Sequence, residues 1–314
     1  MVPMLEVRRL RLLRELSIRG TIAEVAAELN YSPSSVSQQL STLEKEAGVK
    51  LLRRSGRQLQ LTPQAHVLVA HTEELLASLE RTEAALAASQ TEVIGTVRVA
   101  VFQTAALSLL PNTLRRLRAT HPEVRVEMVQ HEPEAALRET WMRDFDLVIA
   151  EQYPGHSAPL YPELDRQPLL RDSIRLAVPA APDSPEEFFR VDRLEDAANL
   201  PWVMEPPGAA IRHWALQACR IAGFEPDIQF ETADVQAQIQ LVESGNAVAF
   251  LADLVWARRG TTARHIELPD LPRREVFTSI RSSTSSYPAV AAFRAALEEE
   301  ATLLERDTDI LANV

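Results

Sequence analysis

Residues 21–47, TIAEVAAELNYSPSSVSQQLSTLEKEA, set two short helical patterns on either side of a turn. Ile22, Val25, Ala26 and Leu29 recur at helical spacing, so the first pattern has one apolar face that can seat on a core. Asn30 and Tyr31 end it. Ser32 is a good N-cap, and Pro33, which has no amide N–H to leave orphaned, is a good first helical residue, so a second helix starts there. Its inner face is Val36, Leu40, Leu43 and Ala47. Its outer face carries Ser34, Ser35, Ser37, Gln38, Ser41 and Thr42, short hydrogen-bonding groups without negative charge. Such groups suit base edges and phosphates, and a glutamine can bond an adenine edge with two hydrogen bonds. The pattern predicts a helix-turn-helix that binds duplex DNA with its second helix in the major groove and Gln38 as the leading base contact. The competing reading is a three-helix scaffold with a solvated basic loop.

Gly48 stops the second helix. Residues 49–53 then read as a short strand, Ser55-Gly56 as a turn and 58–61 as a returning strand, which makes a winged helix. Arg53, Arg54 and Arg57 fall on the wing, where guanidinium groups can grip phosphates or enter the minor groove. Thr62 and Pro63 form another N-cap and first-turn pair, and the pattern stays helical to about Ser89 with no internal Gly or Pro. Leu61, Ala65, Leu68, Thr72, Leu75, Leu79, Thr82 and Leu86 alternate steps of four and three, the seam of a two-stranded coiled coil. A helix of roughly 40 Å with such a seam calls for a partner, so a homodimer is expected through it. The alternative is a helix packed on the chain's own C-terminal part.

Beyond Thr91 the periodicity changes. Strands at 97–102, 124–130 and 146–150 alternate with helices at 105–120 and 134–143, a βαβαβ order that builds a parallel sheet. A strand beginning near 174–179, another at 203–205, helices at 211–223 and 234–245 and the strand AVAFL (247–251) describe a second lobe of similar build. A strand at 275–281 and a helix at 289–305 read as a return to the first lobe. Ligands of open α/β lobes settle at the carboxyl ends of strands and at helix N-termini. Those places are Gln103, Thr104 and Ala105; Gln130, His131 and Glu132; Met204, Glu205 and Pro206; Thr232, Ala233 and Asp234; and Phe250. Glu205 and Asp234 are unusual partners for an anion and suit an amine or a protein arginine.

The stretch from Ile22, IAEVAAELNYSPSSVSQQLSTLEKEAGVKLLRRSGRQLQLTPQA, resembles the N-terminal pattern of the LysR-type transcriptional regulators almost without gaps, and chain length and C-terminal pattern agree. Ser37, Gln38, Arg54 and Arg57 fall on motif positions that in this family usually touch DNA. Pro33 stands where Gln is usual, Leu52 where Phe is usual and Gln64-Ala65 where Ala-Gly is usual. GNAVAFLAD (245–253) replaces a Gly-x-Gly-Ile-Ala-Leu-Leu-Pro type segment, with Asn246 expected to keep the turn because Asn tolerates left-handed backbone. The resemblance implies an α/β protein with an all-α-rich winged helix-turn-helix domain (1–61), a long linker and dimerisation helix (62–91) and a two-lobed α/β effector-binding domain (92–314) like that of periplasmic solute-binding proteins. Lobe one would be about 92–168 and 269–314, lobe two about 169–268. It also implies a small-molecule effector in the interlobe cleft, touched by Gln103, Thr104, Ala105, His131, Glu205, Thr232 and Phe250, and a dimer that assembles further into a tetramer. The competing function is a metabolite-sensing module that acts through protein contacts rather than DNA.

Charge is divided along the chain. Residues 1–60 hold ten Lys and Arg against six acidic residues, a net of +4, which leaves −15 for the rest of a chain whose total is −11. The basic end can release counterions from DNA while the acidic remainder repels it. No apolar run approaches the ~20 residues of a membrane span and no signal-peptide segment is evident, so a cytoplasmic location without membrane contact is expected. The single cysteine, Cys219, lies in a helical pattern and reads as a packing thiol. No Gly-rich phosphate loop, nucleophile elbow or HExxH pair occurs, so neither an enzyme nor a cofactor is expected. His66 and His71 are five apart on one helix and cannot clamp a metal from one face. Trp141, Trp202, Trp214 and Trp256 read as packing residues.

Overall fold

Leu10, Leu12, Leu13 and Leu16 bury one side of the first helix, α1 (Val7–Arg19). The computed structural model describes residues 4–55, 58–257 and 259–311, in two units, Met1–Leu86 and Ala87–Val314. In the first unit, α2 (Ile22–Glu28) and α3 (Pro33–Ala47) close over α1 around Val25, Ala26, Val36, Leu40 and Leu43. The turn between them needs Asn30 at φ 54°, a left-handed conformation in which Asn is tolerated. The caps form as expected. Ser32 Oγ accepts from Ser35 N at 3.1 Å, Pro33 opens the helix, and Gly48 at φ 68° ends it.

The wing is an antiparallel pair, β1 (Leu52–Ser55) and β2 (Gln58–Leu61), in which Arg53 faces Gln60 and Arg54 faces Leu59. The first strand starts three residues later than the sequence pattern suggests. Glu44 on α3 accepts from Leu51 N at 2.9 Å and Leu52 N at 3.1 Å, so a carboxylate rather than a ladder partner satisfies those amides. Thr62 caps α4 (Pro63–Ala88), accepting from Ala65 N at 3.2 Å. Along the expected seam, Leu61 at the end of β2 and Leu68 of α4 pack against the first unit's core and Ala65 and Thr72 are buried, whereas Leu75, Leu79 and Leu86 are 37%, 41% and 68% exposed. Leu75, Leu79 and Leu86 of the expected seam are thus exposed side chains.

The second unit begins with β3 (Gly95–Val101), α5 (Gln103–Ser108), α6 (Leu110–Thr120), β4 (Val124–Gln130), α7 (Pro133–Met142) and β5 (Leu147–Gln152). One helix was expected over 105–120. Two are found, divided at Leu109, because Pro111 has no N–H to continue the ladder. Next come β6 (Leu164–Val178), α8 (Glu186–Phe189), β7 (Pro201–Met204), α9 (Ala210–Ile221), β8 (Asp227–Glu231), α10 (Val235–Glu243), β9 (Ala249–Ala252), β10 (Arg264–Ile266), β11 (Arg273–Arg281) and α11 (Pro288–Leu311). β6 starts ten residues before the expected strand at 174. Pro168 hid it, and the structure places Pro168 opposite Phe277 where the ladder slips, the position a strand tolerates for proline. β8, β10 and α8 were not foreseen.

The seven-stranded sheet runs β10-β6-β11-β5-β3-β4, with β9 also on β6, while β7 and β8 form a separate parallel pair. β3 is parallel to β4 and β5, and β11 is antiparallel to β5 and β6. Residues 164–173 of β6 pair with β11, and residues 174–177 pair with β9. The chain thus passes from one lobe to the other inside β6. It returns through the segment leading into β11, where Ile174 N donates to Pro272 O at 2.9 Å. One lobe's core is Val97, Val99, Leu147, Ile149, Phe293 and Leu297; the other's is centred on Trp202, Leu176, Phe188 and Cys219. Near the segment that departs from the family pattern, Gly245 rather than Asn246 takes the left-handed backbone, at φ 77°. Asn246 instead donates through Nδ2 to Ser244.

Candidate DNA interface and interlobe cleft

Burying Val36, Leu40 and Leu43 turns the opposite side of α3 outward. Ser34, Ser37, Gln38 and Ser41 are exposed and Ser35 is half-buried. The Ser34 hydroxyl lies 3.0 Å from that of Ser32, whereas the side chains of Ser37, Gln38 and Ser41 bond to no described residue. Gln39, next to Gln38, points back instead and accepts from Arg9 Nε at 2.8 Å. Arg53 and Arg54 are both exposed, yet successive residues of a strand face opposite sides, so they are not brought to one surface. Arg54 shares the side of Leu59, and Arg53 that of Gln60. Arg57 lies outside the described residues, as does Gly56 of the expected turn.

Between the lobes of the second unit lies an open cleft of about 560 Å³, walled by Pro159, Pro206 and Ile211 among others. It continues into a smaller inner recess reached by Phe102, Thr104, Tyr153 and Phe250. Glu132, Glu151 and Glu205 line both parts. Of the residues expected at the effector, Gln103, Thr104, Glu205 and Phe250 line the recess. Gln103 links the lobes, donating through Nε2 to Asp234 Oδ1 at 2.8 Å and accepting from Val235 N at 2.8 Å. Asp234 also caps α10 through Gln236 N.

Ala105, His131 and Thr232 are not brought to the cleft wall. Ala105 is fully buried in the lobe core. His131 turns toward α7, with Nε2 2.9 Å from Glu139 Oε2 and Nδ1 accepting from Glu132 N. Thr232 accepts from Asp234 N, and its neighbour Ala233 lines the cleft in its place.

The recess contains a charge cluster that sequence reading missed. Arg274 on β11, 3% exposed, pairs with Glu151 of β5 and with Asp172 of β6 at 2.6 Å, and donates to Thr104 Oγ1 at 3.0 Å. Burial pushes the Glu151 and Asp172 carboxyls up while Arg274 draws them down, and the two carboxylates keep Arg274 charged against its own burial. Glu205 has no such cation. Its carboxylate makes no hydrogen bond or ion pair with a described residue, and burial, then Glu132 and Glu151, push it up to about 8. The only hint in the sequence was an acid ending the apolar run LVIAE and a double arginine opening RREVF. The Cys219 thiol is fully buried and pushed up to about 12 by burial, as a packing residue requires. His66 and His71 are exposed, and no group of metal-ligating side chains occurs among the described residues.

A winged helix-turn-helix with an outward polar helix, carried on the same chain as a two-lobed α/β unit with a cleft, defines a ligand-responsive transcription factor. The model for bacterial regulatory helix-turn-helix proteins of the lysR family matches residues 7–66, and the LysR substrate binding domain matches residues 90–302. The chain belongs to the LysR family of bacterial transcriptional regulators. It is similar to the transcriptional dual regulator GltC of Bacillus subtilis (strain 168), 26% identical over 272 residues that cover 86% of this chain and 89% of that protein. Its fold resembles a full-length OxyR variant from Pseudomonas aeruginosa, with TM-score 0.65 and 17% identity over 94% of this chain and 98% of that one. It also resembles full-length CbnR complexed with its target DNA, with TM-score 0.52 and 21% identity over 94% of this chain and 99% of that one. No helix among the described residues is long and apolar enough to cross a membrane.

Proposed function

We propose that the protein is a cytoplasmic homodimer that binds an interrupted inverted repeat in duplex DNA through paired winged helices and holds a small-molecule effector in the interlobe cleft, without turning it over. The observation that carries the reading is the outer face of α3, where Ser37, Gln38 and Ser41 stand exposed and unbonded on a helix whose other side is sealed in a core. Groups of this kind gain their hydrogen bonds from a partner, and a major groove supplies both base edges and phosphates. Effector binding would change the closure of the lobes at the paired crossings of β6 and β11, and with it the packing of the second units and the spacing of the DNA heads. Higher assembly to a tetramer belongs to the same proposal.

Gel shift with the upstream intergenic DNA, set against scrambled duplex, tests it. Gln38→Ala is expected to weaken specific binding by about 1–3 kcal/mol and scrambled-duplex binding hardly at all, whereas Arg54→Ala weakens both and lowers the salt slope by about 1. Equal losses on every sequence for Gln38→Ala would remove its assigned role. No shift with any upstream fragment would favour a module working through protein contacts.

A further inference from the structure

We infer that the effector carries an ammonium group, which binds in the inner part of the cleft between Glu205, Glu132 and Gln238. The inference rests on the reading of the cleft as the effector site and concerns which chemistry that site selects.

Acceptors outnumber available donors there. Glu205 and Glu132 line both the cleft and its recess, and neither carboxylate bonds to a described residue. Gln238 on α10 also lines the recess and is 4% exposed. It spends its amide Nε2 on Thr232 O at 2.9 Å, which leaves Oε1 without a donor among the described residues. That oxygen opens on the recess, where a ligand can donate to it. The donors nearby are committed: Arg274 is divided among Glu151, Asp172, Tyr153 and Thr104, and both ends of the Gln103 amide hold α10. An ammonium offers three donors and one positive charge to two carboxyl groups, each negative once ionised, and one amide oxygen. A carboxylate placed there would instead meet Glu132, Glu151 and Glu205.

The outer part of the cleft differs. Arg138 and His156 line it and do not reach the recess, and α9 begins there at Ala210 without a side-chain cap. The same ammonium could therefore come from a simple amine or from an amino acid whose carboxylate lies outward, where helix N–H groups and Arg138 favour an anion.

Binding has a proton signature. Glu205 is faced by Glu132 from the loop before α7, Glu151 from β5 and Arg274 from β11, while Arg212 of α9 reaches only its main-chain carbonyl, at 2.7 Å. Held near 8, Glu205 is mostly protonated at pH 7 and must ionise to pair with an ammonium. An amine therefore binds with proton release and binds more tightly as pH rises toward 8. A carboxylate that accepted a hydrogen bond from the neutral Glu205 would show the reverse.

The test is titration calorimetry on the full-length protein near pH 7, in buffers of different ionisation enthalpy, with short aliphatic amines including putrescine, the amino acids L-ornithine and L-glutamate, and succinate. At least one amine or amino acid is expected to bind with net proton release, and roughly tenfold or more weakly to Glu205→Gln. Glu132→Gln, at an exposed site with little bearing on folding, is expected to weaken it less but in the same direction. Putrescine in preference to L-ornithine identifies a free amine as the source, and the opposite order an amino acid. Preference for succinate, proton uptake, indifference to both substitutions or no binding by any ammonium compound at millimolar concentration overturns the inference. The underlying reading fails separately: an amine that binds in the cleft yet leaves the DNA footprint unchanged keeps the ammonium site and removes the effector role. A non-cationic ligand that shifts the footprint does the opposite.

Discussion

The Glu205 carboxyl faces two other carboxylates and has no cation of its own, so it gives up its proton only near pH 8 instead of the ordinary 4.5. In the unfolded chain the same group ionises at 4.5, so between those values the folded state binds the extra proton and stability falls as pH rises. Above about 8 the penalty is constant. Glu205→Gln removes the titration, so the substituted protein is expected to gain melting temperature relative to wild type steadily between pH 5 and 8 and to hold that gain at higher pH. Parallel melting curves for the two proteins across that range would show that Glu205 is an ordinary exposed acid. Arg274 has the opposite character, since its loss strands Glu151 and Asp172 in the interior. Arg274→Met is expected to cost about 3–5 kcal/mol at neutral pH, partly recovered at acid pH as those carboxyls protonate. Urea melts of the second unit at pH 5 and pH 7 measure both numbers.

At the scale of elements, the caps decide where helices begin. Ser32 holds the N–H of Ser35 and so sets the end of α3 that carries the exposed serines. Ser32→Ala is expected to cost about 1 kcal/mol and to lower the melting temperature of the first unit while leaving the second unchanged, as calorimetry of the intact chain can separate. These caps were legible in the sequence because they are local: a serine, a proline and a helical period fix α3 without reference to anything distant. The positions Gln103, Thr104 and Glu205 were legible for the same reason, since they directly follow the carboxyl ends of β3 and β7, and strands of this kind end at the cleft. Arg274, Glu151 and Asp172 were not, because their meeting depends on β11 lying between β5 and β6, an order no local pattern encodes. β6 itself was half hidden by Pro168, which reads as a strand breaker until the slip opposite Phe277 is known. His131 and Thr232 met the local rule for a site residue and were claimed by nearer partners, Glu139 and Asp234.

At the scale of the whole molecule, the first sixty residues are basic and the remainder strongly acidic, so a single chain offers DNA one small cationic head and a much larger repelling body. One recognition helix and a wing with few arginines make a weak site, and pairing two heads raises effective affinity by about 10²–10⁴ without any new contact to DNA. The exposed side of α4 supplies the means, because Leu75, Leu79 and Leu86 stand exposed on a helix of roughly 40 Å. Leu79→Glu sets a charge in that seam at a residue already 41% exposed, so the fold is expected to survive, with the melting temperature nearly unchanged at dilutions where wild type is also monomeric. Sedimentation velocity should show wild type as a dimer and Leu79→Glu as a monomer at micromolar concentration. Gel shift on the full inverted repeat should show at least a hundredfold loss for the variant, and on a single half-site little difference from wild type. A Leu79→Glu protein that stays dimeric would move the interface off this helix. A monomer that still binds the full repeat like wild type would mean that one head suffices and that the seam serves some other contact.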